Sequence, residues 1–228
     1  RQYCSQSVIV AHDGSLIWYN DAGRLYCYEN LAELEQGVFR DTTVHWAKDS
    51  IAFLAQKNLL NGTGNGYFSP EQSMTRAQFV QVLARMSGEN FSACATDDFS
   101  DVTASDWFAP AVAWAVERGI TTGNGMGRFS PNVQITRQDM AVMLQRYVEK
   151  IAGTELSETE ERIAFTDEGA IAGYAKEAVK KMQMAGIING LATGGTYRFA
   201  PMEPATRAQA AAMIARLYQS LDGQGEIH

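Results

Sequence analysis

A nine-residue arrangement that occurs three times sets the first constraint on this chain. Pro70-Glu-Gln-Ser-Met-Thr75-Arg76-Ala-Gln78 returns as Pro131-Asn-Val-Gln-Ile-Thr136-Arg137-Gln-Asp139 and as Pro201-Met-Glu-Pro-Ala-Thr206-Arg207-Ala-Gln209. In each copy a proline stands five positions before a Thr-Arg pair, and an apolar residue (Met74, Ile135 or Ala205) precedes the threonine. A helical pattern follows every copy. Such recurrence within 228 residues marks an internal repeat. The prolines lie 61 and 70 residues apart, so the unit is about sixty residues plus linkers.

Thr75, Thr136 and Thr206 read as helix N-caps, each hydroxyl accepting from a backbone N–H that the helix leaves unpaired. Gln78, Asp139 and Gln209 stand at the return position of a capping box. Aspartate is the shorter side chain, so the second copy is expected to close its box less well. Arginine at the first helical position is unusual, because the positive end of the helix dipole disfavours a cation there by roughly 0.3–1 kcal/mol. Three such placements imply that each arginine faces an anion. A carboxylate suits the guanidinium fork, and neighbouring helix-start N–H groups would reinforce it. The alternative is an internal ion pair with Asp41, Asp101 or Asp167, which at the surface contributes only about 0–1 kcal/mol.

Each unit begins with Phe-x-Asp: Phe39-Arg40-Asp41, Phe99-Ser100-Asp101 and Phe165-Thr166-Asp167. An aromatic-Ala pair follows, with Trp46-Ala47, Trp107-Phe108-Ala109 and Tyr174-Ala175. A first helix comes next, its apolar stripe formed by Ala47, Ile51, Leu54 and Ala55 in the first unit, Val112, Ala115 and Val116 in the second, and Ala178, Val179 and Met182 in the third. A glycine-rich loop then runs to Phe-x-Pro, from Asn61 to Pro70, Thr122 to Pro131 and Asn189 to Pro201, the third being longer. Several of its positions require positive φ. The second helix turns Phe79, Val82, Leu83 and Met86 inward, then Met140, Met143, Leu144 and Tyr147, then Ala210, Met213, Ile214 and Leu217. Phe68, Phe129 and Phe199 read as core residues that fix the loop exit.

No helix–loop–helix unit of this size buries its apolar face alone. Three must share one core, and a closed three-fold arrangement suits them better than a long solenoid. Residues 1–38 stand outside the repeat. Short β-rich runs there, broken by Asp13-Gly14 and Asp21-Ala-Gly23 turns, read as a hairpin or three-stranded meander, either a small cover for the repeats or the tail of a preceding domain. Asn30 to Gln36 reads as a short helix, and the acidic stretch Ile151 to Arg162 as a solvated one.

A formal charge of -7 and a pI near 5.0, with no basic stripe, argue against nucleic acid. The apolar runs are far shorter than the ~20 residues of a membrane span. Cys4 and Cys27 are either bridged between paired strands or two free buried thiols, and three cysteines exclude a disulfide-dense scaffold. Three scattered histidines suggest no metal site, and no cofactor motif is present. No nucleophile–base set, phosphate loop or zinc-protease motif occurs, so no catalytic residue is assigned and a non-enzyme is expected. The glutamates of the acidic stretch lack an accompanying pocket pattern, and a glycosidase reading rests on nothing in them.

Taken in order, Phe-x-Asp, Trp-Ala, Gly-Ile, a glycine loop ending Phe-x-Pro, and Thr-Arg-Ala-Gln closely resemble the S-layer homology repeat, here as a set of three covering residue 39 to about 220. The resemblance implies a mainly α fold: three helix–loop–helix repeats in a pseudo-three-fold, three-pronged bundle, beside the small β-rich N-terminal extension. It also implies a module that anchors a larger exported protein non-covalently at the bacterial cell surface. The ligand it implies is a pyruvylated secondary cell-wall polysaccharide attached to peptidoglycan, held in grooves between prongs. The groove residues carried over are Arg76, Arg137 and Arg207, with Trp46, Trp107 and Tyr174. This chain departs from the family in closing its Thr-Arg motif with Gln78, Asp139 and Gln209 instead of glutamate, and in Tyr174 and the longer third loop.

The expected domains are an N-terminal extension (1–38), repeats over 39–90, 91–153 and 154–221, and a tail (222–228). The candidate ligand-binding set is Arg76, Arg137, Arg207, Trp46, Trp107, Tyr174, Gly62, Gly123, Gly190, Asp41, Asp101 and Asp167. For the aromatics, core packing and a sugar platform remain equal alternatives. The glycines are turn formers first, and the aspartates are caps or loop partners before they are ligand contacts. The module is expected to be monomeric. A structural surface-lattice module that binds protein partners is the second reading.

Overall fold

The computed structural model describes residues 38–95 and 98–223, together with the backbone of three strands before them. The Cys4–Cys27 pairing, the Asn30–Gln36 helix and residues 224–228 lie outside the described residues. The chain forms two compact units, Arg1–Pro70 and Glu71–His228.

In the first unit β1 (Val8–Val10), β2 (Leu16–Tyr19) and β3 (Leu25–Tyr28) pair antiparallel in that order, with Ile17 opposite both Ile9 and Cys27. Helix α1 (Lys48–Gln56) buries Ile51 and Leu54, beside a buried Ala47. Ala55 of the expected stripe is only half-buried. The helix ends where Asn58 turns left-handed (φ 57) and the Leu59 N–H returns to the Leu54 carbonyl. The chain then loops back so that Phe68 meets Phe39 with ring centroids 5.3 Å apart.

The second unit carries α2 (Arg76–Met86), α3 (Ala109–Glu117), α4 (Arg137–Tyr147), α5 (Lys176–Met184) and α6 (Arg207–Asp222). Helix α2 packs on α3, and α4 packs on α5, so the second helix of one repeat leans on the first helix of the next. The inward residues expected on α2, α4 and α6 are buried, as are Phe129 and Phe199. Alternation of apolar faces at helical spacing is what brings these surfaces together.

The three Thr-Arg stretches are tied to one another by backbone hydrogen bonds. The Met74 N–H donates to the Ala205 carbonyl (3.0 Å), Ala205 to Ile135 (2.9 Å) and Ile135 to Met74 (2.9 Å), which closes a ring. The same three side chains are fully buried, which explains the apolar residue before each threonine. A second set links the arginine backbones: Arg76 N–H to Val133 O, Arg137 to Glu203 O and Arg207 to Gln72 O.

Helix starts are thereby satisfied almost completely. In α2 the first N–H goes to Val133, the second (Ala77) to Pro131, and the third (Gln78) to the Thr75 hydroxyl. Gln78 Oε1 returns to the Thr75 N–H, and α6 repeats the box with Thr206 and Gln209. In α4 the Thr136 hydroxyl caps the Asp139 N–H, but no reciprocal bond forms.

One expectation fails here. The acidic stretch is not a helix: one π turn (Val148–Ala152) extends α4, and Gly153 at φ 64 stops it. Beyond that the N–H groups of Thr159 and Glu160 both donate to the Met184 carbonyl, which ties the stretch to the end of α5. The long third loop is a hairpin, β4 (Leu191–Thr193) with β5 (Thr196–Arg198), turned by Gly194 and Gly195 at φ 57 and 82.

Candidate functional site

Arg76 opens α2 and is 8% exposed. Its Nε donates to the Phe129 carbonyl of the next repeat (3.0 Å), and its guanidinium lies 5.1 Å from the Phe129 ring centre. Arg137 repeats this one unit later: Nε donates to Phe199 O (2.7 Å), a second nitrogen to Asn189 O (3.1 Å), and the guanidinium lies 5.2 Å from the Phe199 ring centre. Arg207 is buried as well. The recurrence of arginine at these positions therefore has a structural cause that the sequence did not reveal. Arg76 and Arg137 each strap their own repeat to the loop exit of the following one.

The expected support from helix-start N–H groups is absent. Those of Arg76, Ala77, Arg137 and Gln138 already donate to carbonyls of neighbouring repeats, so no ligand can take them. What remains for a ligand is the charge and the outer nitrogens of the guanidinium. Burial lowers the Arg76 pKa against the opposing pull of Asp139, and it pushes Arg137 down to about 10 against Glu203.

The Phe-x-Asp aspartates clamp the loops. Asp101 accepts from the N–H groups of Phe129 (2.8 Å) and Ser130 (2.9 Å), one with each oxygen. Asp41 does the same for Phe68 and Ser69, and Asp167 for Phe199 and Ala200. The second residue of each pair is left-handed (φ 58, 62 and 58), a conformation costly for a side chain of any size, and the double bond holds it there. Gly62, Gly123 and Gly190 are required by close approach. A Cβ would stand 2.6, 2.4 and 2.7 Å from the ring edges of Phe39, Phe99 and Phe165. Only Gly123 of the three also has positive φ.

The aromatics expected at the grooves are solvent-facing, with Trp46, Trp107 and Tyr174 at 63%, 62% and 63% exposure. Tyr174 is fixed in spite of this. Its hydroxyl donates to Asp139 Oδ1 (2.7 Å) and receives the Gln138 amide (3.0 Å), while Gln138 Oε1 accepts the Ala172 N–H (3.1 Å). Asp139 Oδ2 lies 3.7 Å from Arg76 Nη1. Burial of the phenol hydroxyl and its bond to that carboxylate push the Tyr174 pKa up to about 12.

Arg76, Gly123 and Tyr174, from three different repeats, line one open cleft of about 550 Å³. Thr121, Thr122, Asn124, Ser130, Asp139 and Arg146 complete its polar wall, and Val133, Val142 and Met143 its apolar one. Arg146 donates to the Ile120 carbonyl. Sequence reasoning missed Gln138 and Arg146, and noticed Asp139 only as a short capping partner standing where the family has glutamate. A cleft with hydroxyls, an amide, one paired ion couple and a presented aromatic suits a polar ring ligand such as a sugar. No group of His, Cys, Asp or Glu among the described residues could hold a metal ion.

The sequence model of the S-layer homology domain matches three segments, residues 38–80, 98–141 and 164–211. Among curated relatives, an amylopullulanase of Thermoanaerobacterium thermosulfurigenes is 34% identical over 83% of this chain and 10% of its own length. An exoglucanase XynX of Acetivibrio thermocellus is 35% identical over 79% of the chain and 16% of its length. A surface-layer 125 kDa protein of Lysinibacillus sphaericus is 28% identical over 80% of the chain and 15% of its length. The chain thus spans only a small part of each relative. The enzymes and the surface-layer protein share this one region.

Proposed function

This chain belongs to the S-layer homology domain family, and on that premise we propose that it anchors a larger exported protein by gripping a pyruvylated polysaccharide of the cell wall. It is a repeat module of the cell surface, associated with the wall. Relatives as different as glycan hydrolases and surface-layer proteins have it in common, which supports an anchoring role separate from any chemistry of the parent. We read the three Thr-Arg stretches as related by a pseudo-three-fold axis. The closed ring of Met74, Ile135 and Ala205 supports that symmetry.

One observation carries the ligand assignment. Arg137 is 2% exposed and forms no ion pair among the described residues, its Nε and one outer nitrogen being spent on neutral carbonyls. A buried cation ordinarily has a counter-ion. A carboxylate on a polymer substituent would supply it, through the remaining guanidinium edge. Arg76, Gly123 and Tyr174 line the cleft described above, and we assign Arg207, Trp46, Trp107, Gly62 and Gly190 to ligand binding by their equivalent positions in the repeat. The Phe-x-Asp aspartates Asp41, Asp101 and Asp167 set the loops. Several weak grooves acting on one repeating polymer give avidity that none has alone.

Co-sedimentation with wall sacculi, before and after acid extraction of the attached polysaccharide, tests this. The module is expected to pellet with intact sacculi and to stay in solution with extracted ones. Equal pelleting with both would refute the polysaccharide as ligand.

A further inference from the structure

Nine residues after each helix-opening arginine the chain carries another: Arg85 after Arg76, Arg146 after Arg137 and Arg216 after Arg207. Arg146 Nη1 donates to the Ile120 carbonyl (3.2 Å), and Arg216 Nη1 to the Ile187 carbonyl (3.3 Å). Both carbonyls lie just beyond the first helix of the same repeat. Arg146 also stands in the last turn of α4, where the helix dipole favours a cation. Part of its role is therefore structural. It has a second property that Arg216 lacks: it is half-buried in the wall of the cleft of about 550 Å³.

We propose that Arg146 is the cation that receives the ligand's carboxylate in this cleft, with the Thr122 hydroxyl beside it. This rests on the saccharide reading above. Among the described residues the one partner of Arg146 is the neutral Ile120 carbonyl. Arg137 likewise meets neutral carbonyls, but it is 2% exposed, whereas an anion reaches Arg146 from open space. Arg76 is 8% exposed, its Nε holds the Phe129 carbonyl, and Asp139 at 3.7 Å serves as its counter-ion. The wall thus sets two cations against one carboxylate, and the unmatched charge belongs to Arg146. A low-dielectric cleft focuses such a field on an incoming anion.

The spacing along α4 fits the ligand's chemistry. Asp139, Val142, Met143 and Arg146 recur at helical period and all line the cleft. Seven residues separate Asp139 from Arg146, about 10 Å along the axis. One sugar ring with a ketal at its edge spans that length. A pyruvyl ketal carries a methyl and a carboxylate on one carbon, so the methyl meets Val142 and Met143 while the carboxylate meets Arg146. Thr122, two residues beyond Ile120, is exposed in the same wall, and its hydroxyl has no partner among the described residues.

The test titrates the 228-residue chain with a monosaccharide carrying a pyruvyl ketal and with its ketal-free parent. The amides of Thr122, Gly123 and Asn124 report on the cleft by two-dimensional NMR. In the wild type the ketal form is expected to shift them at concentrations about tenfold or more below those of its parent. Arg146→Gln is expected to bring the two sugars within about threefold, with the ketal-free sugar almost unaffected. Arg216→Gln removes the same kind of carbonyl contact away from the cleft and should leave the wild-type preference in place. Thr122→Ala alters an exposed loop residue, so the fold does not depend on it. It is expected to weaken the ketal form about threefold and spare the parent. An undiminished preference in Arg146→Gln, a parallel weakening of both sugars, or an equal loss in Arg216→Gln overturns the assignment while saccharide binding stands. An unchanged ketal affinity in Thr122→Ala overturns the part given to Thr122. If neither sugar shifts these amides in the wild type, the saccharide reading of the cleft falls and this inference with it.

Discussion

Gly123 can be tested against Gly125, because the structure separates two costs that substitution usually mixes. Both have left-handed backbone, at φ 74 and 79. A Cβ on Gly125 would meet nothing within 4 Å, whereas one on Gly123 would stand 2.4 Å from Phe99 Cε1 and 2.6 Å from the Arg128 carbonyl oxygen. Gly125→Ala therefore carries conformational strain alone, about 1–2 kcal/mol, reduced by the ~0.4–1 kcal/mol that alanine contributes through a less disordered unfolded chain. The net is a destabilisation of about 1 kcal/mol. Gly123→Ala adds overpacking of about 1–3 kcal/mol, for a total near 2–4 kcal/mol. In a chain of this size that corresponds to melting shifts of roughly 2–4 °C for Gly125→Ala and 4–16 °C for Gly123→Ala. Phe99 cannot retreat freely, since it packs on Phe129 (centroids 5.8 Å apart), whose carbonyl holds Arg76. Urea unfolding gives the measurement, read as a midpoint shift at unchanged m. If Gly123→Ala proves no more costly than Gly125→Ala, the Phe99 ring is not the fixed wall described above, and close approach does not explain the glycine.

Three further outcomes are expected. Asp101→Ala frees two partly buried N–H groups and the left-handed Ser130, and should cost about 2–4 kcal/mol, with hydrogen-exchange protection lost first at Phe129 and Ser130. Arg137→Lys keeps the charge but cannot reach both Phe199 O and Asn189 O, so a loss of about 1–3 kcal/mol is expected in urea unfolding. Tyr174 has its pKa raised to about 12, so its contribution to stability is complete below the ordinary phenol value near 10 and fades as pH climbs toward 12. Tyrosinate absorbance missing from Tyr174→Phe should accordingly titrate late, near pH 12, and should move down in Asp139→Asn.

Much of this was legible because the repeat states each element three times. Thr75, Thr136 and Thr206 cap helices as their spacing required, and the weaker box at Asp139 followed from its shorter side chain. Phe68, Phe129 and Phe199 are in the core. Position in the sequence could not say which repeat touches which. The arginines looked like free cations at a positive helix end because the carbonyls they reach, Phe129 O and Phe199 O, belong to other repeats. Gly62 and Gly190 looked like turn formers, yet neither has positive φ, and it is the phenylalanine edge that excludes a side chain there. The acidic stretch read as helix from its composition, but Gly153 ends the preceding turn and the Met184 carbonyl captures two of its N–H groups. The Tyr174–Asp139 bond joins residues 35 apart, and no local pattern announces it.

The central claim is that the module recognises a wall polysaccharide by its anionic substituents. Calorimetric titration of the chain with purified wall polymer, intact and with its pyruvyl groups removed, tests this most directly. Heat of binding to the intact polymer, and affinity reduced at least tenfold for the stripped one, is the predicted result. Equal affinity for the two polymers would contradict it.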